Sequence, residues 1–285
     1  MKGVLIAALA ALLVVPAAAQ QPKAAARVSW STVGKPSPGP TQIIGKAAQG
    51  CIGGAMALPL TGPGYQVLRP QNRRYFGHPD TVRLVEMLGR WAVLGGHGHL
   101  LIGDMAQPRG GPMPSGHVSH QSGLDIDIWF RRSRAPLSTA DLARPIALDM
   151  LRPDGRAADP ERFGPVEVEL LKLVATRTNV ERILVNPALK RAACGMAAGD
   201  RSWLRRLRPW WGHNMHFHVR LACPAGQDQC EPGPPIPPGD GCGPDLDWWL
   251  SDEAVEALRQ RLLKAREPVP PRTLPATCAS VLRAR

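Results

Sequence analysis

The sequence predicts an α+β fold. Two segments, residues 124–130 (LDIDIWF) and 215–221 (MHFHVRL), alternate apolar and polar side chains with the period of a strand. Several longer stretches carry their apolar residues at helical spacing. The 285 residues also include 29 glycines, 30 prolines and six cysteines, which suits short elements joined by many turns. Hydrophobic residues make up 44%, enough for a sizeable core, and this excludes a disordered chain.

The elements follow in chain order. Residues 1–19 (MKGVLIAALAALLVVPAAA) read as a secretory signal peptide, with Lys2, an apolar run and the small residues Ala17, Ala18 and Ala19 at the cleavage site. That run is short for a bilayer span, and no later segment is long and apolar enough to be one. Residues 20–50, rich in Ala, Pro, Gly and Ser, read as a loose lead-in. A helix is predicted over 79–91, with Pro79 in its first turn and Val82, Val85, Met87 and Leu88 as its stripe. HLLIGDM follows as a short strand, and residues 109–116 as a flexible loop.

After the strand at 124–130, STADLARPIALDM reads as a short helical region. PVEVELLKLVATRTN places Val166, Leu170, Leu173 and Val174 at helical spacing, ERILV reads as a buried strand, and Pro187 opens the short helix NPALKRAAC. The strand at 215–221 comes next. Beyond Pro224 the chain is rich in Pro and Gly, with one amphipathic helix (DEAVEALRQRLLKA) and an extended tail (EPVPPRTLPAT). No repeat or clean linker divides residues 20–285, so they read as a single domain with decorated ends.

An exported chain with an even number of cysteines implies disulfides. Cys223 and Cys230 are near enough to close a short loop, but spacing leaves the pairing of Cys51, Cys194, Cys223, Cys230, Cys242 and Cys278 open. No C-x-x-C pair suggests a cysteine zinc cluster. The net charge of +12 favours anionic partners such as wall polymers, and no nucleic-acid module is recognisable.

The chemistry concentrates in the two alternating segments. Asp125, Asp127 and Trp129 share one face, with Leu124, Ile126 and Ile128 on the other; His117 and His120 precede them. In the second segment His216, His218 and Arg220 share a face, and His213 lies just before it. If the two pair in one sheet, imidazoles and carboxylates converge. That donor mixture suits a divalent first-row metal, zinc above all, and two His with one carboxylate leave a position for water to attack a carbonyl. His120, Asp127 and His218 are the expected ligands, with Gly123 turning the backbone between the first two. His216 is the expected proton carrier. His213 and Arg220 are expected to stabilise an oxyanion. Asp125 reads either as a support for a ligand or as a solvated strand residue. Trp210 and Trp211 read as a substrate platform or as core. His78, His97 and His99 read as structural.

MPSGHVSHQSGLDIDIWF together with RPWWGHNMHFHVRLACP resembles the penicillin-insensitive murein endopeptidases, and RYFGHPD, LIGDM, RILVNPALK, DRSWLRRLRPW and GDGCG extend the resemblance over nearly the whole mature chain. The combination of H-x-x-G-x-x-x-D with H-x-H is far more specific than either alone. The resemblance implies a periplasmic zinc metallopeptidase that cleaves the D-alanyl-meso-diaminopimelyl cross-links of peptidoglycan. It implies zinc on His120, Asp127 and His218, His216 as base, and His213 as a further active-site histidine. It also implies disulfides Cys51–Cys278, Cys194–Cys242 and Cys223–Cys230, and a small antiparallel sheet carrying the site between helices and long, disulfide-pinned loops. Some relatives have a second metal site built from the first histidine of the motif and an Asp-x-x-His. Here His117 and Asp154 are present, but Ala157 stands where the last histidine would be, so a second ion is expected to bind weakly. A carboxypeptidase or dipeptidase using the same site, and a periplasmic metal carrier without catalysis, are the competing readings.

Overall fold

The computed structural model describes residues 29–114, 117–264 and 273–285; the expected signal peptide lies outside them. The strands are β1 (Gln42–Lys46), β2 (Gln49–Gly53), β3 (Met56–Ala57), β4 (Thr61–Gly62), β5 (Tyr65–Val67), β6 (Phe76–Gly77), β7 (His99–Ile102), β8 (Asp125–Ser133), β9 (Val180–Val185), β10 (Leu207–Pro209) and β11 (His216–Leu221). The helices are α1 (Pro79–Leu94), α2 (Thr139–Ala143), α3 (Pro165–Ala175), α4 (Pro187–Met196), α5 (Pro244–Trp249), α6 (Asp252–Lys264) and α7 (Thr277–Arg283).

The fold is α+β, but its main sheet is neither small nor purely antiparallel. Seven strands run in the order β10-β9-β11-β8-β7-β5-β4. β5 pairs parallel with β7, and β10 pairs parallel with β9. The reason is the connections: a hairpin cannot join parallel neighbours, and here α1 bridges β5 to β7 while α4 bridges β9 to β10. The centre of the sheet, β7-β8-β11-β9, is antiparallel.

Local chemistry sets the helix starts. The His78 ring caps α1 by accepting from the Asp80 amide (3.2 Å), with Pro79 at the first helical position. The helix runs three residues past the predicted Trp91. Asn186 caps α4 in the same way, through the Ala188 amide (2.9 Å). In α3, Glu167 reaches back to the Gly164 amide (2.8 Å) and also meets Arg132 at 2.7 Å. The core lies beneath the aliphatic face of the central strands. Ile126, Ile128, Phe217 and Val219 are fully buried there with Leu170, Leu171 and Val174 of α3, each contributing roughly 1.5–3 kcal/mol. This layer holds β8 and β11 rigidly side by side.

Among the described residues, parts of both ends are more ordered than their composition suggests. Part of the expected lead-in forms the antiparallel hairpin β1–β2. The last residues form α7, tied to β2 by the Cys51–Cys278 disulfide. Arg109 fastens the same region, donating to the carbonyls of Lys35, Val281 and Leu282 at 2.8–3.1 Å. Cys194 bonds Cys242, and Cys223 bonds Cys230. Covalent ties and carbonyl contacts here outweigh a sequence with little periodicity of its own.

Candidate metal centre

The register of β8 and β11 builds the site. His218 stands opposite Asp127, Arg220 opposite Asp125, and His216 opposite Trp129. Side chains on paired strands share a face, so the polar sets of the two segments meet over the apolar layer. The loop before β8 brings a third group. Its backbone turns through left-handed conformations at His120 (φ 66°) and Gly123 (φ 77°). The left-handed turn at Gly123 favours glycine, and a Cβ there would also press on Ile52 Cδ1 at 2.6 Å and on the Gly77 backbone at 3.3 Å. The His120 amide and the Ser119 hydroxyl both donate to Asp125 Oδ2, at 3.0 and 2.8 Å, which ties the loop to the strand.

Asp127 is the hub. Its Oδ1 lies 3.0 Å from His218 Nδ1, 3.4 Å from His120 Nε2 and 3.8 Å from His216 Nε2, and its Oδ2 lies 3.9 Å from His117 Nδ1. One donor atom each from His117, His120 and Asp127 falls within 4.8 Å of the others. Burial alone would raise the Asp127 carboxyl, but the His120, His218 and His216 imidazoles override it and hold it well below the usual carboxylate range.

Behind His218 lies a second carboxylate. Asp125 is completely buried and accepts from His218 Nε2 (2.8 Å) and Arg220 Nε (2.8 Å) through Oδ1. It is therefore a support rather than a solvated strand residue. Burial pushes its carboxyl up, and Arg220 and His218 pull it far down. Burial lowers the His218 imidazole in turn, but Asp125 and Asp127 outweigh it and raise it to about 9. Arg220 does not face an oxyanion position: its Nη2 bonds Ser119 Oγ at 2.6 Å while its Nε holds Asp125. Strand register explains this, because Asp125 is its direct cross-strand partner.

His213 and His216 sit together at the rim, with ring centroids 5.0 Å apart. Burial, with the like charges of His216 and His218, lowers His213 to about 4. Burial also lowers His216, against the opposing pull of Asp127. His213 Nδ1 lies 3.1 Å from the Trp211 carbonyl, which can only accept, so the proton is on Nδ1. A neutral His213 in that tautomer has no proton at Nε2 to give an oxyanion, and so presents an acceptor instead. Trp210 is exposed rather than in the core, and it and Trp211 cluster with Trp249 of α5.

Asp104, just past β7, went unrecognised in the sequence. Its carboxylate meets His117 Nε2 (3.0 Å), Arg74 Nη1 (3.0 Å) and Arg69 Nη2 (3.6 Å). The only signal was the motif LIGDM. Asp154 bonds the Arg156 amide in its own turn (3.0 Å) and joins no metal-competent cluster among the described residues. His78 is the α1 cap, while His97 stacks beside Trp91 with centroids 4.6 Å apart.

These residues fit a divalent metal. They offer several imidazole nitrogens around one ionised carboxylate, and His120 Nδ1 is buried with no hydrogen-bond partner. Comparison with known proteins points the same way. Residues 43–283 match the family model described as penicillin-insensitive murein endopeptidase. The chain is 43% identical to the penicillin-insensitive murein endopeptidase of Klebsiella pneumoniae over 271 residues, which cover 95% of this chain and 96% of the relative. It is 44% identical to the proteins of that name from Salmonella newport and Salmonella heidelberg, over 90% of this chain and 92% of each relative.

Proposed function

Because the chain belongs to the penicillin-insensitive murein endopeptidase family, we propose that it is a murein endopeptidase that hydrolyses the D-alanyl-meso-diaminopimelyl cross-links of peptidoglycan, with a zinc ion held by His120, Asp127 and His218. The observation that carries this reading is the convergence of His120, Asp127 and His218 from a loop and two adjacent strands, with His216 beside them.

When bound, zinc supplies a Lewis acid that polarises the amide carbonyl and makes water nucleophilic near neutral pH. The chain's own residues do the rest. Asp125 and Arg220 hold the His218 ring so that Nδ1 faces Asp127. His216, kept neutral by burial, accepts the proton of the attacking water and passes it to the leaving amine. His213 lies against His216 with an acceptor nitrogen free, positioned to hold that water in line. No serine nucleophile takes part in this reading, in keeping with the family's description as penicillin-insensitive.

The setting agrees with the chemistry. We read residues 1–19 as the export signal, residues 20–285 as one metallopeptidase domain and the periplasm as its location; the three disulfides suit that compartment. No helix among the described residues is long and apolar enough to cross a membrane. The net charge of +12 draws the protein to an anionic wall. The test is to incubate the purified protein with cross-linked muropeptide dimers and weigh the products. Monomers that keep their terminal D-Ala support the endopeptidase. Loss of a terminal residue without monomers indicates a carboxypeptidase. Intact dimers with metal bound indicate a carrier.

A further inference from the structure

His117 is the histidine that the family resemblance assigns to a second metal ion, and the second ligand set is broken here by Ala157. Asp154 bonds only within its own turn. The structure gives His117 a different partner. Asp104 Oδ2 lies 3.0 Å from His117 Nε2, and Arg74 and Arg69 hold the same carboxylate at 3.0 and 3.6 Å. The Asp104 backbone carbonyl meanwhile accepts from the Asp127 amide at 2.9 Å. Asp104 is thus fixed to the metal strand through its backbone and to two cations through its side chain.

A carboxylate facing two guanidinium groups is ionised and can only accept hydrogen bonds. His117 therefore donates to it from Nε2. With Nε2 engaged by Asp104, the nitrogen left to face the centre is Nδ1, which lies 3.9 Å from Asp127 Oδ2 and belongs to the donor cluster of His117, His120 and Asp127. A carboxylate on one ring nitrogen with metal on the other is the usual way a protein fixes a ligating imidazole. Asp125 does the same for His218. His117 differs in exposure: its side chain is 33% exposed, against 1% for His120, 4% for His218 and 5% for Asp127.

We infer that His117 belongs to the same metal centre as His120 and Asp127 rather than to a second one, standing beside the three ligands with Asp104 as its positioning residue, so that this chain holds one metal ion rather than two. The inference rests on the metal-centre reading above. Its test reads metal binding, not turnover. Chelator-stripped protein is titrated with zinc against a chromophoric competitor, for wild type, His117→Ala, Asp104→Asn and Asp154→Ala. Wild type should bind one zinc per chain. His117→Ala and Asp104→Asn should each weaken binding by roughly 10–100-fold, while Asp154→Ala should change neither stoichiometry nor affinity. Two tight zinc ions in wild type falling to one in Asp154→Ala would overturn it, as would unchanged affinity in His117→Ala. Should Asp104→Asn fail to fold, His117→Ala decides alone, since its side chain is partly exposed. Absence of any zinc binding by wild type would sink the metal-centre reading together with this one, whereas the other two failures leave that reading standing.

Discussion

His218 Nε2 lies 2.8 Å from Asp125 Oδ1 in a completely buried contact, while the other nitrogen of the same ring points at Asp127, 3.0 Å away. The imidazole is held from behind by one carboxylate and offered forward beside another. Arg220 neutralises the rear carboxylate, so its charge does not have to be met by the metal.

Asp125→Asn should therefore weaken zinc binding by roughly 10–100-fold. It should also destabilise the metal-free fold by about 3–5 kcal/mol, because it leaves the Arg220 guanidinium facing a neutral amide. Zinc titration and denaturant unfolding in chelator measure the two separately. Wild-type affinity in a folded Asp125→Asn protein would remove Asp125 from the site's support.

His120→Ala and His216→Ala should separate binding from chemistry. His120 is buried with its Nε2 3.4 Å from Asp127, so its loss should abolish both zinc retention and hydrolysis. His216 lies farther from the carboxylate, at 3.8 Å, so its loss should leave zinc in place and cut kcat by about 10²–10⁴-fold. Metal analysis and turnover of muropeptide dimers check both. Full zinc content in His120→Ala would overturn the ligand assignment.

Much of this was legible in the chain because alternation has a fixed geometric meaning. Asp125 and Asp127 had to share a face, as did His216, His218 and Arg220, and one hairpin-like register brings them together. The parallel pairings of β5 with β7 and β10 with β9 were not legible, since β5, β7 and β10, of three or four residues each, carry too few side chains to declare their neighbours. Arg220 was misread because its partner is set by cross-strand register, which a single strand does not show. Asp104 was missed for a similar reason. It meets His117 from beyond the end of a different strand, and nothing local in LIGDM indicates a partner thirteen residues on. The helix α7, just beyond the segment read as an extended tail, went unread because a disulfide and the Arg109 contacts, rather than an apolar stripe, hold it.

The acid side of the pH profile should report His216. Burial and the neighbouring imidazoles lower it below the ordinary histidine value of 6.5, outweighing Asp127. A base with a lowered pKa stays neutral into mildly acidic solution, so kcat/KM should hold constant down to below pH 6.5 before falling. In His216→Ala the residual rate should lack that limb. A wild-type profile that already falls above pH 7 would exclude His216 as the base.

The Cys51–Cys278 bond closes a loop spanning 227 residues of sequence. On the chain-entropy account a closure of that length is worth roughly 5 kcal/mol, though measured values usually run lower. Cys51→Ala/Cys278→Ala should lower Tm and release α7 from β2, seen as faster amide exchange over residues 277–283. The metal centre, built on β8 and β11, should keep its zinc affinity. Loss of zinc in the folded double variant would place the α7 contact inside the site's support.

Zinc binding should itself release a proton. In the metal-free protein His218 is raised to about 9: burial opposes the shift, and Asp125 and Asp127 overcome it. The ring is then cationic at pH 7 and must lose a proton before either nitrogen can take a metal. The sign for stability follows. A group raised above its unfolded value stabilises fully below about pH 6.5 and loses that contribution as pH climbs through about 9. Metal-free protein should thus lose stability between pH 6.5 and 9, while zinc affinity over the same range should rise. Calorimetry at pH 7 in buffers of different ionisation enthalpy measures the proton directly. Heats that do not depend on the buffer would mean that His218 is already neutral before zinc arrives, and that the Asp125 contact orients the ring without charging it.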